Sequence, residues 1–280
     1  MEKAKRALPG VLKNAKFVVE VADARAPVST RNPDLIRLAA DRPRLLVLAK
    51  ADLADPGATS LWTKHLSASR EHVLALSLLD PQAPRLIAGA LRRLLGKSPH
   101  DPGERLRSIP GLAMPKVGKV RRRGVVVGVP NTGKSTVIRA LGGRAEKADR
   151  PGVTRGVQEF SLKGDINLFD SPGMMWPSAL EGLTALKLVW LGCIGPAAYD
   201  AYESGRELIR YLAEAHPGRI AERYGIDEKE TADPDEILSE IAIRRGLLRG
   251  SAPDLEKAAG AVTAEFRSGL LGRITLEHPD

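Results

Sequence analysis

The order of two nucleotide-binding motifs constrains this chain more than any other feature of its sequence. Gly128-Val-Pro-Asn-Thr-Gly-Lys-Ser135 has the spacing of a phosphate-binding loop, and it follows the apolar run Gly124–Val127. Lys50-Ala51-Asp52, whose residue types can read a guanine base, comes before this loop in the chain. In most chains that carry both motifs the base-reading one comes second. The two motifs therefore indicate a nucleotide site in circularly permuted order.

Alternating apolar strands and amphipathic helices predict an α/β fold of the Rossmann-like, P-loop type. The expected strands cover residues 17–21, 44–49, 72–76 and 124–128. The expected helices cover residues 2–14, 33–40, 59–69, 82–95 and 135–141. A hairpin is expected around the turn Lys163-Gly164-Asp165. Such alternation gives a mostly parallel sheet with helices on both faces.

A change in the sequence pattern divides the chain into two predicted domains. Residues 1–178 form the α/β domain, with a Pro/Gly-rich connection at about 96–122, and residues 179–280 form an all-helical domain. Asp233-Pro-Asp-Glu236 has the composition of a capped helix start. The spacing of an amphipathic helix is shared by Leu255, Ala258, Ala259, Val262, Phe266 and Leu270.

The excess of positive charge is typical of a protein that meets a polyanion. The chain has 43 lysines and arginines against 34 acidic residues, a net charge of +9. An arginine-rich genome gives the same excess, so nucleic acid and compositional bias have equal weight on charge alone. The run Lys116–Arg123, with five positive charges, is equally open between an RNA contact and a solvated strand edge.

The apolar content predicts a cytoplasmic protein without a membrane span. No apolar run reaches the roughly 20 residues that cross a bilayer, and residues 1–6 lack the apolar stretch of a signal peptide. The single cysteine, Cys193, excludes an intramolecular disulfide, and its apolar neighbours predict a buried side chain.

Each polar position of the phosphate-binding loop has a predicted task. Gly133 lets the backbone approach the phosphates, and successive N–H groups bind the anion. Lys134 is expected to reach the β and γ phosphates, and Ser135 to ligate Mg²⁺. Thr132 and Thr136, on either side of these residues, complete the predicted phosphate contacts.

Two further segments have the composition expected near the magnesium and the γ-phosphate. Asp170-Ser-Pro-Gly173 follows an apolar strand, which predicts Asp170 near Mg²⁺ and Gly173 near the γ-phosphate. Thr154 is the candidate switch threonine, although a loop threonine is the alternative for this position alone. The predicted catalytic set is therefore Lys134, Thr154, Asp170 and Gly173.

The base-reading motif predicts guanine over adenine. The carboxylate of Asp52 can accept hydrogen bonds from guanine N1–H and the exocyclic amine, and adenine lacks that pair of donors. Lys50 can lie over the base, while Ser77 and Leu78, after the next strand, are expected to support it. The Lys-x-Asp spacing is weak evidence by itself.

Taken with other motifs, this set resembles the circularly permuted GTPases of the ribosome biogenesis GTPase A family. The additional segments are Asp23-Ala-Arg25-x-Pro27, Ser29-x-Arg31-Asn32-Pro33, Pro151-Gly-Val-Thr154 and Phe266-Arg-Ser-Gly269-x-x-Gly272-Arg273. The likeness covers essentially the whole chain, in order. It implies hydrolysis of GTP to GDP, with Mg²⁺, during late assembly of the large (50S) ribosomal subunit. It also implies a cytoplasmic monomer whose helical domain contacts rRNA. The sequence by itself indicates only a guanine-nucleotide site beside a helical module that is expected to be basic.

Three departures from the family pattern lead to expectations of their own. Ala49 stands where the base motif normally has asparagine, so we expect weaker nucleotide binding with guanine preference kept. Met174 stands where Ras-like GTPases have a glutamine, and the segment with the family's N-terminal histidine is absent from the start of this sequence, so either that start is truncated or catalysis uses another group. Intrinsic hydrolysis is therefore expected to be slow and to be stimulated by the ribosomal subunit. Asn131 resembles the asparagine that holds K⁺ in potassium-stimulated GTPases.

Two alternatives come from other functional classes. A GTP-gated RNA-binding scaffold with negligible turnover fits the same departures at Ala49 and Met174. A P-loop metabolic kinase fits poorly, because Thr154, the Asp170 turn and the Lys50 motif together form a GTPase set.

Overall fold

The structure is a computed structural model that describes most of the chain, in two compact units. The described residues are 12, 15–39, 41–69, 71–96, 122–142, 144–145, 158–162, 166–226 and 233–279. The first unit comprises Met1–Asp23, Arg31–Lys50 and Trp62–Met175. The second comprises Ala24–Thr30, Ala51–Leu61 and Trp176–Asp280. The division at 178/179 and the roles assigned to its two parts stay predictions.

The first unit is built on a seven-stranded sheet. Its strands are β1 (Phe17–Asp23), β2 (Arg44–Ala49), β3 (His72–Ala75), β4 (Arg122–Val127), β5 (Arg144–Ala145), β6 (Gln158–Leu162) and β7 (Ile166–Asp170). Their order in the sheet is β3-β2-β1-β4-β7-β6-β5. The first five strands of that order pair in parallel, and β6 pairs antiparallel with both β7 and β5. The predicted α/β fold with a mostly parallel sheet is confirmed.

In the part of the chain that the structure describes, four helices follow strands of this sheet. They are α1 (Pro33–Leu38), α2 (Pro56–Ala68), α3 (Ala83–Leu95) and α4 (Lys134–Ala140). Helix α2 begins three residues before the predicted start, because the carboxylate of Asp55 accepts a hydrogen bond from the Ala58 amide at 2.7 Å. This cap uses an aspartate followed by a proline, the same signal that the sequence shows at Asp233.

The central strand β1 is buried on both of its faces, as expected for a parallel sheet covered by helices. Phe17, Val19 and Val21 belong to a core that includes residues of α3 and α4. Val18, from the alternate face, belongs to a second core with Leu35 of α1. Because parallel strands share the direction of their carboxyl ends, Asp23, Ala49 and the residues after Val127 and Asp170 meet at one edge.

Glu20, a buried charged residue of β1, forms the centre of an ion-pair network. Glu20 accepts hydrogen bonds from the guanidinium of Arg31 at 2.9 and 3.0 Å, and Arg31 also donates to Glu71 at 2.9 Å. Arg44 pairs with Glu71 and lies 3.7 Å from Glu20. Burial by itself lowers the pKa of Arg31, but the bonds and charges of Glu20 and Glu71 outweigh it and raise the pKa above its ordinary value.

Replacing Arg31 with methionine is expected to lower the free energy of unfolding by about 3 kcal/mol, because Glu20 then loses its closest partner while buried. Urea denaturation followed by circular dichroism measures the change. Arg37→Met is the matched control, since its pair with Asp34 is exposed and is worth less than about 1 kcal/mol. Equal denaturation midpoints for the two variants would contradict the assigned role of the network.

The second unit is helical in its C-terminal part, as predicted. Its helices are α5 (Gly182–Trp190), α6 (Ala201–Ala215), α7 (Arg219–Tyr224), α8 (Pro234–Arg245) and α9 (Leu255–Ser268). A two-residue ladder of β8 (Leu248–Arg249) and β9 (Ala252–Pro253) also occurs, which the sequence analysis missed. Within the described ranges, no helix combines the length and the apolar character that crossing a bilayer requires.

Local predictions in this unit are confirmed with one exception. Asp233 caps α8 by accepting from the Asp235 amide at 3.0 Å, and Cys193 is buried. Val262 and Phe266 are buried on the predicted face of α9. Leu270 is 54% exposed, so its assignment to that face is wrong. The helix ends at Ser268, because Gly269 takes a left-handed conformation with φ of 80°.

Ala24–Thr30, one of the two early segments of the second unit, is bound by residues near the C-terminus. The carboxylate of Glu277 accepts from the backbone amides of Val28 and Ser29, at 2.6 and 3.1 Å, and from Lys187 Nζ at 3.2 Å. The Leu276 amide donates to the Arg25 carbonyl at 2.7 Å. Arg25 itself is buried, and its guanidinium lies over the Phe266 ring at 5.5 Å.

The distribution of charge contradicts one expectation. Residues 179–280 contain 12 lysines and arginines against 18 acidic residues, a net charge of −6. Residues 1–178 contain 31 against 16, a net charge of +15. The expectation of a basic helical module is therefore wrong, because the excess of positive charge over the whole chain belongs to its first part.

Candidate functional site

The phosphate-binding loop has the predicted strand-loop-helix arrangement. Strand β4 ends at Val127 and α4 begins at Lys134, and three residues between them have positive φ angles, namely Gly128 (151°), Asn131 (61°) and Gly133 (108°). At Gly128 a Cβ atom would lie 2.3 Å from the Val21 carbonyl oxygen, so no other residue fits there. Glycine at this position lets the loop turn sharply at the end of the strand.

The ammonium group of Lys134 lies over the backbone of the loop. Lys134 Nζ donates a hydrogen bond to the Val129 carbonyl at 2.8 Å, and Thr132 Oγ1 donates to the same carbonyl at 3.0 Å. Both side chains are buried. The Lys134 ammonium therefore lies within the curve of the loop, where a phosphate bound by the backbone amides would meet it.

Ser135 and Asp170 are brought together as the sequence predicted. Ser135 Oγ donates to Asp170 Oδ2 at 2.9 Å, which joins the start of α4 to the end of β7. The other carboxylate oxygen, Asp170 Oδ1, is buried and has no hydrogen-bond partner among the residues that the structure describes. A hard divalent cation prefers hydroxyl and carboxylate oxygens. The pair fits Mg²⁺, because the buried oxygen still needs a positive partner.

The segment after Asp170 runs against the phosphate-binding loop. Ser171 donates to the Val126 carbonyl through its hydroxyl at 2.7 Å, which fixes the turn. A Cβ atom on Gly173 would lie 2.8 Å from the Pro130 nitrogen and 3.0 Å from Lys134 Nζ. Glycine is therefore required for this approach, and its backbone lies beside the Lys134 ammonium.

Met174 does not extend from the site. Its side chain is buried in the core that contains Val127 and Phe169, and its carbonyl accepts from Asn32 Nδ2 at 3.2 Å. Asn32 also caps α1 by accepting from the Asp34 amide at 2.9 Å. The residue that replaces the Ras-like glutamine thus has a packing role, in agreement with its inability to orient water.

Lys50 has a partner that the sequence analysis did not assign. Its ammonium lies 3.0 Å from Asp23 Oδ2, and the Asp23 side chain is fully buried at the end of β1. Lys50 has a positive φ of 58°, which turns the chain sharply after β2. The parallel pairing of β1 with β2 brings the ends of the two strands together. An aspartate at the end of the neighbouring apolar strand was the available sequence signal.

The structure also describes the other residues predicted to bind the nucleotide, which are Ser77, Leu78, Thr136 and Asp52. Leu78 Cδ1 is 2.8 Å from the point where a Cβ on Gly133 would lie, and Ser77 Oγ accepts from the Leu79 amide at 3.3 Å. Thr136, in α4, accepts from Arg139 Nη2 at 3.3 Å. Asp52 is exposed in the turn after β2 and belongs to the second unit.

Several predicted features lie outside the described residues. Among the site residues this applies to Thr154. It also applies to residues 116–121 of the basic run, whereas Arg122 and Arg123 are described at the start of β4. The predicted helix at 2–14 apart from residue 12, residues 97–121 of the Pro/Gly-rich connection and the turn 163–165 lie outside them as well.

Position 49 faces the phosphate-binding loop. The Ala49 Cβ lies 3.8 Å from the Cβ position of Gly133, and Ala49 is fully buried. An asparagine here would direct its amide toward the loop, and a methyl group offers no hydrogen bond.

Ala49→Asn is expected to tighten GDP binding about fivefold, which corresponds to one net hydrogen bond of about 1 kcal/mol. Fluorescence titration with an N-methylanthraniloyl derivative of GDP measures it. Ala49→Leu is the control, since it adds the same number of heavy atoms in a similar branched shape without hydrogen-bonding groups. Unchanged or weaker binding by the asparagine variant would show that position 49 does not brace the loop.

Comparison with known proteins identifies relatives over the full length of the chain. The family model described as "50S ribosome-binding GTPase" matches residues 123–198. The ribosome biogenesis GTPase A of Bacillus cereus is 33% identical, over 100% of this chain and 92% of the relative. That of Priestia megaterium is 31% identical, over 100% and 94%.

A solved structure agrees in fold and in extent. The GDP-bound structure of Thermotoga maritima YlqF has a TM-score of 0.68 and 25% identity, and it covers 97% of this chain and 98% of its own. The likeness in sequence and fold extends over both units. The chain belongs to the ribosome biogenesis GTPase A family.

Proposed function

We propose that this protein binds GTP, hydrolyses it to GDP and phosphate, and acts in late assembly of the large (50S) ribosomal subunit. The observation that carries the proposal is the contact of Ser135 with Asp170, whose second oxygen is buried without a partner among the described residues. Full-length similarity to ribosome biogenesis GTPases supports the ribosomal role. A cytoplasmic monomer remains part of the proposal.

The residues of the loop supply binding and charge neutralisation for phosphoryl transfer. Lys134 exchanges its bond to the Val129 carbonyl for the β and γ phosphates and offsets their negative charge. Ser135 and Asp170 hold Mg²⁺, which when bound neutralises charge on the phosphates. Gly173 provides a backbone amide for the γ-phosphate, and Thr154 is the proposed switch residue that closes on the nucleotide. Guanine selection is assigned to Asp52, with Lys50, Ser77 and Leu78 in support.

Hydrolysis without a partner is proposed to be slow. The buried Met174 side chain cannot orient a water molecule, so the activating group has to come from elsewhere. Asn131 lies in the loop with a positive φ of 61° and is exposed, and we propose that its amide oxygen ligates K⁺ beside the phosphates. Such a cation would supply the charge that an arginine finger gives other GTPases.

The ribosomal RNA contact is proposed for residues 1–178, which carry the charge of +15. Backbone phosphates dominate the affinity of proteins for nucleic acid, so the more basic part is the better candidate. The helical part, at −6, is proposed to contact the ribosomal subunit with fewer phosphate contacts.

The second candidate function is a GTP-gated RNA-binding scaffold with negligible turnover. The burial of Met174 favours it, because this side chain cannot take the place of the water-orienting glutamine. The two candidates share the nucleotide site and differ in catalysis alone.

Multiple-turnover phosphate release, with and without purified large subunits, separates these candidates. We expect large subunits in K⁺ buffer to raise turnover at least tenfold over the protein alone, and Na⁺ to reduce that stimulation. Stimulation that is equal in K⁺ and Na⁺ would contradict the role of Asn131. A protein that binds GTP but releases no phosphate under any of these conditions would be the scaffold.

A further inference from the structure

We propose that Arg273, near the C-terminus, is a positioning residue for guanine recognition, acting through the turn that carries Asp52. This inference rests on the proposed guanine-nucleotide site and adds a specificity-determining residue to it. The juxtaposition lies wholly within the second unit.

The guanidinium of Arg273 holds the turn on both sides of Asp52. Its Nη2 donates to the Ala51 carbonyl at 2.8 Å, and its Nε donates to the Ala54 carbonyl at 2.7 Å. The rigid fork of an arginine side chain fixes the separation of two acceptors, which the single ammonium of a lysine cannot do. The four residues from Ala51 to Ala54 are therefore clamped at their first and last carbonyls.

Three neighbouring contacts hold the same turn against the C-terminal segment, residues 269–275. The Ile274 amide donates to the Leu53 carbonyl at 3.1 Å, and the Asp55 amide donates to Thr275 Oγ1 at 2.9 Å. A Cβ atom on Gly269 would lie 2.8 Å from Leu53 Cδ2, so the glycine allows the segment to approach closely. Thr275 and Ile274 are fully buried or nearly so.

This arrangement leaves the Asp52 side chain as the exposed part of a fixed turn. Asp52 is exposed, whereas Ala54, two residues later, is buried and its carbonyl accepts a hydrogen bond from Arg273. A carboxylate that reads two donors of a base needs a defined direction, because hydrogen bonds weaken steeply as their angle departs from linear. Fixing the backbone in advance also removes part of the ordering cost that binding would otherwise include.

The roles of Asp52 and Arg273 are separable with a pair of nucleotides. Guanine offers Asp52 two donors, N1–H and the exocyclic amine, while hypoxanthine offers N1–H alone. A misdirected carboxylate loses more affinity for GDP than for IDP. A purely structural defect lowers both affinities by the same factor, because it reduces the amount of competent protein.

The experiment measures the dissociation constants of GDP and IDP for the full-length protein by competition with a fluorescent nucleotide. We expect the wild-type protein to prefer GDP about tenfold, the value of one charge-assisted hydrogen bond. Arg273→Ala is expected to lower GDP affinity about tenfold and the GDP-to-IDP preference at least threefold. Arg273→Lys, which keeps the charge but not the fork, is expected to give an intermediate preference.

Arg244→Ala is the matched control, because Arg244 is an exposed arginine of the same unit that pairs with Glu240. It is expected to keep the wild-type preference. In the Asp52→Ala background, Arg273→Ala is expected to leave the GDP-to-IDP preference unchanged, since its effect passes through Asp52. Thermal melting reports whether each variant is folded.

Each result decides the proposal. A wild-type preference for GDP that Arg273→Ala and Arg273→Lys both keep would overturn the inference and leave the proposed function intact. Equal loss for GDP and IDP would reduce Arg273 to a structural role and also overturn it. A wild-type protein that binds ADP as tightly as GDP would instead refute the proposed guanine-nucleotide function. If Arg273→Ala does not fold, the preference measured for Arg273→Lys decides.

Discussion

Replacing Lys134 with alanine is expected to lower the affinity for GDP about 100-fold and to abolish measurable phosphate release. The ammonium lies over the phosphate-binding loop and is buried, with the Val129 carbonyl as its partner at 2.8 Å. Contacts to charged groups are worth about 1.5–3 kcal/mol each, and of the two phosphates assigned to Lys134, GDP has only the β-phosphate; because the ammonium is buried, we expect its truncation to cost about 3 kcal/mol, the upper end of that range. That free energy corresponds to about two powers of ten in affinity.

Titration calorimetry with GDP and a phosphate-release assay with GTP measure the two effects. Lys64→Ala is the control, since it removes the same charge from an exposed position on α2. Lys134→Ala is expected to melt close to the wild-type temperature without nucleotide, because the Val129 carbonyl that it frees can bind water. Turnover of Lys134→Ala within threefold of the wild type would disprove the assignment of the phosphate site.

The strand-loop-helix arrangement of Gly128–Ser135 and the approach of Asp170 to Ser135 were predictable from the sequence, because the motifs are local. The spacing from Gly128 to Ser135 dictates a loop between strand and helix, whatever the rest of the chain does. The position of Asp170 was predicted from a short apolar strand followed by a turn. The parallel pairing of β4 with β7 brings Asp170 to Ser135. In both cases adjacent residues contain the information.

Contacts between distant segments could not be predicted from local motifs. The pair of Lys50 with Asp23 depends on which strands are neighbours in the sheet, which periodicity does not reveal. The binding of Arg273 to the turn at Ala51 joins segments more than two hundred residues apart. The prediction of a basic helical part was wrong for a different reason: the net charge of a whole chain does not tell where the charge lies.

Leu270 illustrates a limit of pattern matching at helix ends. Its spacing from Phe266 fits a continuing helix, but the glycine between them permits the left-handed turn that ends α9. A glycine before the last member of an apolar stripe is a stop signal that outweighs the stripe, because the helical conformation costs glycine more entropy than other residues.

Replacing Asp52 with asparagine is expected to change the base preference from guanine to xanthine. The carboxylate presents two acceptors to the two donors of guanine. An asparagine amide presents one acceptor and one donor, so its N–H group would oppose the exocyclic amine. Xanthine has a carbonyl oxygen at that position and accepts the new donor. Affinity for GDP is expected to fall about 100-fold and affinity for XDP to rise by a similar factor.

Competition of GDP, XDP and ADP against one fluorescent nucleotide measures this exchange directly. Asp41→Asn provides the matched control, because it removes a carboxylate from an exposed turn before β2. The same Arg273 contacts hold the turn in the Asp52→Asn variant, so an XDP preference that Arg273→Ala then weakens would join both assignments. An Asp52→Asn protein that still prefers GDP to XDP would show that another residue reads the base.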